Sequence, residues 1–322
     1  MRRPAMRTRL LLVGATAVLG TVTVAIPIAS AADTIPIAVG DRPAALGVNS
    51  GTGKVYVGNS TGTVSVIDTA TNTVTTTIPV GESLNGVAVN SVTNKVYVSN
   101  AAAGTVSVID GATDTVLSTV EANPGVAALD VDERANRIYG AGNTTGEVSV
   151  IDGADDTLVS TVGAIGRPLT DVSVDDTRGV AYLTSVNTSS IEVLDITAGA
   201  FVGTIAVGAG PSGVSVHEAS NSVYVANAGI HHLSIVDGAT RVERGKVVLR
   251  SAGSSAVVHE ATNTIYSNGG PSGVVEVDGA KAEITGELSM GINPGEVAVD
   301  QRTQTVYVAD PLRDTVTAVT GM

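Results

Sequence analysis

Asp171 and Glu296 each stand eleven residues before a tyrosine, Tyr182 and Tyr307; at the same offset from the other five tyrosines stand Ala45, Gly86, Ala128, Gly213 and Ser255. A frame that accepts Ala, Gly or Ser at this place does not need a charge there, and a charge that a fold does not need is a place to look for function. The segments leading into the equivalent positions add Arg42, Asn85, Arg167 and Arg250. Guanidinium and carboxylate groups gathered in one concavity suit a polar or anionic small ligand. Arg42, Asn85, Arg167, Asp171 and Glu296 are therefore the expected lining of the principal ligand pocket. The competing reading is solvated rim charge, which contributes little stability.

A second set stands seven residues before each tyrosine: Asn49, Asn90, Asp132, Asp175, His217, His259 and Asp300. His217 and His259, each followed by Glu, have with Asp175 and Asp300 the donor chemistry of a metal site. The simpler reading is that His replaces the Asn or Asp of a tight turn. His231 and His232 are a poor chelate, since neighbours in a strand point opposite ways. Gly58 to Gly62 matches the nucleophile-elbow pattern, but that elbow needs a strand-to-helix turn, and here the serine falls in a strand-to-strand hairpin. No complete catalytic set is present.

The element that must position these residues is a repeat. Tyr56, Tyr97, Tyr139, Tyr182, Tyr224, Tyr266 and Tyr307 are separated by 41 to 43 residues. Asp68, Asp110, Asp152, Asp195, Asp237 and Asp278 keep the same register, with Thr320 where a seventh would fall. Each of these aspartates precedes a turn, where a short carboxylate accepts backbone N–H bonds; they read as scaffold. Every unit reads as four short strands rich in Val, Ile and Thr, bounded by Gly, Asn, Asp and Ala. In the second unit the strands are expected at Gly86–Asn90, Lys95–Ser99, Thr105–Ile109 and Thr115–Val120. Four strands in about 42 residues, repeated, is the signature of an all-β, seven-bladed β-propeller with four-stranded antiparallel blades. In the first strand of each unit the polar and small rows share one parity, and the alternate positions are nearly all Val or Leu. The polar rows are expected nearest the ring axis.

The last unit ends after its third strand, Asp314–Val319, and Thr34–Val39 matches the missing outer strand, Thr77–Val80. The N-terminal strand is expected to complete the last blade and close the ring.

YVGN at Tyr56–Asn59, YVSN at Tyr97–Asn100 and YVAN at Tyr224–Asn227 resemble the YVTN-repeat β-propellers, as do VSVIDTATNTV at Val64–Val74 and VSVIDGATDTV at Val106–Val116. The resemblance covers residues 34–322 and is specific for fold. It implies a secreted or surface protein and assigns no role. YGAG at Tyr139, YLTS at Tyr182 and YSNG at Tyr266 depart from the motif.

Arg2, Arg3, Arg7 and Arg9 precede the apolar run Leu10–Ile28, and Ala29-Ser30-Ala31 fits a small-residue cleavage site. Residues 1–31 therefore read as a secretory signal peptide, and residues 32–322 as a single propeller domain. The mature chain is expected to be secreted, extracellular, free of the membrane and monomeric. It keeps 14 basic against 31 acidic residues, a net charge of −17, and has no cysteine and no Trp. Such acidity repels polyanions, and single-strand nucleic-acid binding also needs aromatic platforms that are not there. A quinone-cofactor propeller would be expected to carry Trp-rich blade motifs; no cofactor is expected. Arg241, Arg244, Lys246 and Arg250 are read as guarding an exposed sheet edge, with docking on an anionic wall polymer as the alternative. Two functions compete: a binding or interaction propeller for a polar small molecule, a cell-wall component or a protein, and a lactonase-type hydrolase using the mouth carboxylates, with a divalent ion as an option.

Overall fold

The computed structural model describes residues 32–166, 168–270, 273–292 and 294–322. Residues 1–31, where a signal peptide is expected, and Arg167 lie outside the described residues. The strands form seven four-stranded antiparallel sheets arranged as the blades of a ring. We name the strands of each blade A to D from the axis outward. Blade 1 consists of Pro43–Asn49, Lys54–Asn59, Thr63–Asp68 and Thr73–Pro79. Blade 2 consists of Leu84–Asn90, Lys95–Asn100, Thr105–Asp110 and Thr115–Glu121, longer than expected by no more than two residues at any end.

The seventh blade is built from both ends of the described chain. Val297–Val299, Val306–Asp310 and Thr315–Thr320 supply strands A to C, and Asp33–Ala38 adds strand D, with Asp33 opposite Thr320 and Ala38 opposite Thr315. The expected closure is thus present.

The repeat residues explain the blade. Tyr56, Tyr97, Tyr224, Tyr266 and Tyr307 are among the largest fully buried side chains, each on a strand B. Each of the seven hydrophobic clusters joins neighbouring blades; one of them sets Tyr56, Val64 and Val66 of blade 1 against Val96, Val98 and Ile109 of blade 2. Val and Ile suit this work because their stiff branched side chains pack well on pleated surfaces. The motif asparagine has a different task. Asn59 Nδ2 donates to Ser65 Oγ at 3.0 Å, Asn100 to Ser107 at 2.9 Å and Asn227 to Ser234 at 3.0 Å. The Asn of YVxN and the Ser of VSVID therefore tie strands B and C together inside the blade through the amide nitrogen.

The strand C aspartates cap the C–D turns. Asp68 Oδ1 accepts from the N–H groups of Ala70 and Thr71 at 3.0 and 2.9 Å, and Asp237 Oδ1 from Ala239 and Thr240 at 2.9 and 2.8 Å.

Candidate functional site

The seven A strands have no sheet partner on the axial side, so their inward N–H groups need acceptors. Polar side chains of the preceding blade supply them at the four junctions from blade 3 to blade 7. Asp130 Oδ2 accepts from Val174 N–H at 2.7 Å, and Asp171 Oδ2 from Val214 N–H at 2.8 Å. The other oxygen of each binds the next residue of its own strand, Val131 at 2.8 Å and Val172 at 2.9 Å. Ser173, Ser215 and Ser255 hydroxyls accept from Val216, Val258 and Val297 at 3.2, 3.1 and 3.2 Å. Where the axial rows are polar, from blade 3 to blade 7, they are therefore staples between successive blades. The Gly of the Asp171 row also has a structural reason: a Cβ on Gly213 would come within 2.7 Å of the Ser254 carbonyl of the next blade.

At one end of the A strands, Asn85, Asp171 and Glu296 come together with Thr170, Ser212 and Ser254 around a chamber of about 80 Å3. Three of the five expected pocket residues thus share one site. Arg42 is exposed and outside this lining; its backbone N–H donates to Asp314 Oδ1 at 2.8 Å in a left-handed turn, φ 57°. No basic residue lines the chamber among the described residues. The charged groups among its described lining are the carboxylates of Asp171 and Glu296. Burial pushes the carboxyl of Asp171 up to about 7, against the two N–H bonds that favour its charge, with the nearby Asp130 adding to the rise. Burial, then the charge of Asp171, pushes Glu296 up to about 8. Glu296 also keeps an exposed surface, and contact with channel water moderates that push.

The wider concavity lies at the opposite end, where the A–B turns meet. A vestibule of about 820 Å3 is lined by Asp130, Ser173, Ser215, Arg178, Glu218, Glu260 and Gln301, among others. Side chains link the A–B turns round this mouth at five of the seven junctions. Glu133 accepts from Ser91 N–H at 2.6 Å, Glu218 from Asp176 at 3.1 Å, Glu260 from Glu218 at 3.4 Å, Gln301 from Glu260 at 2.9 Å and Ser50 from Gln301 at 2.9 Å. These residues stand six before each tyrosine, a row that is polar in every unit and was legible as such.

His217 and His259 serve this end as turn residues. Their Nδ1 atoms lie 2.7 Å from the Ser220 hydroxyl and 2.8 Å from that of Thr262; their Nε2 atoms face the carbonyl oxygens of Glu260 at 2.9 Å and Gln301 at 3.2 Å. A carbonyl accepts only, so each Nε2 carries the proton and donates. Asn49 and Asn90 cap the same turn through N–H bonds from Gly51 and Val92 at 3.1 and 3.0 Å. No group of three or more metal-ligating side chains occurs among the described residues.

The basic patch is partly paired. Arg244 donates to the Ser222 hydroxyl at 2.9 Å, and Arg250 forms an ion pair with Glu287 at 2.7 Å; Arg244 and Lys246 lie on Val242–Val248, the outermost strand of blade 5.

No protein-family model and no curated protein matches this chain. Among solved structures, it is similar to hydrazine synthase from Kuenenia stuttgartiensis, with a TM-score of 0.74 over 86% of this chain and 95% of that one, at 15% identity. That likeness establishes the propeller fold.

Proposed function

We propose that this protein is a secreted propeller of the YVTN-repeat type that binds a polar, hydroxyl-bearing ligand in the vestibule at the A–B turns, a cell-wall fragment being the best fit. The observation that carries this reading is the vestibule itself. Its volume of about 820 Å3 falls within the roughly 300–1,000 Å3 of small-molecule sites, whereas the 80 Å3 chamber at the other end falls well below it. Its carboxylates, guanidinium and hydroxyls offer both donors and acceptors to a sugar or peptide. Binding also suits what the inner groups are free to do. Both oxygens of Asp130 and Asp171 hold backbone N–H groups, and both ring nitrogens of His217 and His259 are engaged.

One observation favours the hydrolase reading: Asp171 and Glu296 do converge on one chamber with raised carboxyls. Its small volume and the double engagement of Asp171 weigh against a lactone there.

The test is a thermal-shift screen of the protein with muropeptides, neutral oligosaccharides and lactones. A muropeptide or oligosaccharide should raise Tm with concentration. Glu218→Gln with Glu260→Gln should remove the shift. A lactone consumed by wild type and spared by Glu296→Gln would replace this reading with the hydrolase. Secretion rests on the basic and apolar leader before Ala32; mass spectrometry of culture supernatant should find a mature N-terminus near that residue.

A further inference from the structure

At two successive junctions a carboxylate from the following blade pairs with a lysine of the preceding one. Lys54 Nζ lies 2.9 and 2.8 Å from the two oxygens of Asp114, and the Tyr56 hydroxyl lies 3.3 Å from Asp114 Oδ1. Lys95 Nζ repeats the ion pair, 2.8 and 3.0 Å from the oxygens of Asp156, while the buried Tyr97 hydroxyl nearby has no hydrogen-bond partner among the described residues.

Between blades 3 and 4 the carboxylate is missing. The cation there is Arg137 and the tyrosine is Tyr139, but Gly199 precedes Ala200 where Asp114 precedes Thr115 and Asp156 precedes Thr157. The facing A–B turn is reduced as well, with Gly179 in the place of Asn94 and Asn136. What remains is a cavity of about 530 Å3, bordered by Arg134, Arg137 and Tyr139 and by the apolar side chains of Val159, Leu194 and Ile196. No side chain among the described residues hydrogen-bonds the Tyr139 hydroxyl.

We propose that this gap binds a small carboxylic acid with an apolar body, its carboxylate standing where Asp114 and Asp156 stand at the two preceding junctions. Arg137 is half-buried and pairs with Asp152 through one terminal nitrogen, at 2.6 Å, so its remaining donors are available to a second carboxylate. Arg134 pairs with Asp176 at 3.1 Å and brings a second guanidinium to the rim. Asp132, Asp152 and Asp176 oppose an anion here. Yet the single cation Lys54 holds Asp114 beside Asp68 and Asp110, and the gap has two cations for the same task. The apolar walls supply the burial that a bare anion cannot use.

The experiment titrates the full chain with hexanoate, benzoate and phenylacetate, and with the amide of each, by calorimetry and ligand-observed NMR. At least one acid should bind, its amide about tenfold more weakly or worse, and Arg137→Gln should weaken the acid by a similar factor. Gly199→Asp should abolish acid binding and raise Tm, because it restores the internal carboxylate. The backbone accepts that change: Gly199 has φ 61°, close to the 54° of Asp114 and 57° of Asp156, and a Cβ there meets nothing within 4 Å. If Gly199→Asp does not fold, Gly179→Asn, which restores the other turn residue, takes its place beside Arg137→Gln. Failure of all three acids to bind, acid and amide binding alike, or unchanged acid affinity in Arg137→Gln and the cavity-filling variant would each overturn the site.

Discussion

Gln301 in the last blade donates its backbone N–H to the Ser50 hydroxyl of the first at 2.9 Å, across 251 residues of chain. Arg42 N–H makes a second such bond, to Asp314 Oδ1 at 2.8 Å. The strand Asp33–Ala38 seated on Thr315–Thr320 completes blade 7 as a four-stranded sheet, and these contacts bind it to blade 1.

Closure should therefore dominate stability. Ile37 is 4% exposed and packs into the cluster shared by blades 7 and 1. Ile37→Ala is expected to cost about 2–5 kcal/mol, and deletion of Thr34–Val39 more, with loss of solubility. Urea unfolding measures the first and sedimentation the second; an unchanged midpoint in both would mean that the ring does not depend on this strand.

The tyrosine hydroxyls should not be equal. Tyr224 donates to Asn263 Oδ1 at 2.8 Å, whereas the buried hydroxyl of Tyr97 has no partner among the described residues. Tyr224→Phe should lose about 1 kcal/mol, while Tyr97→Phe should be neutral or stabilising, because it removes an unpaired polar atom. Parallel denaturation curves check the ordering.

Asp171 should behave as a staple. Asp171→Ala strands the Val214 N–H inside the ring and is expected to cost about 1–3 kcal/mol. Asp171→Asn keeps one acceptor and should cost less. Hydrogen exchange at Val214 should rise in the Ala variant and stay near wild type in the Asn variant.

Stability should fall as pH rises. Asp130 and Asp171 are pushed up to about 7 and Glu296 to about 8, burial being the first cause in each. A carboxyl raised in the folded state binds more protons there than in the unfolded chain. Its contribution is complete below about pH 4 and is lost as pH climbs through about 7 to 8. These three groups should therefore lower Tm between pH 5 and pH 8. Asp130→Asn should flatten that slope more than Glu296→Gln, since Glu296 keeps its exposed surface. A scanning-fluorimetry pH series reads both.

Blade number, strand order and closure were legible in the sequence because they are local or periodic. A tyrosine every 41 to 43 residues, alternating Val and Thr, and an N-terminal stretch matching an outer strand are features of neighbouring residues and of one repeated unit. The same holds for the strand C aspartates, whose partners lie two or three residues on. The site was legible only in part. Register placed Asn85, Asp171 and Glu296 at one end of the inner strands, and they do share a chamber. Register could not show that the same end narrows to 80 Å3 while the A–B turns open to 820 Å3, because channel width follows from how seven blades converge. Nor could it show that Asp171 is held by Val214, 43 residues away, or that Gly179 and Gly199 face one gap from two turns. The repeat dictates what each blade is. Which groups meet between blades, and which partner is missing there, depends on distances that exist only once the ring has closed.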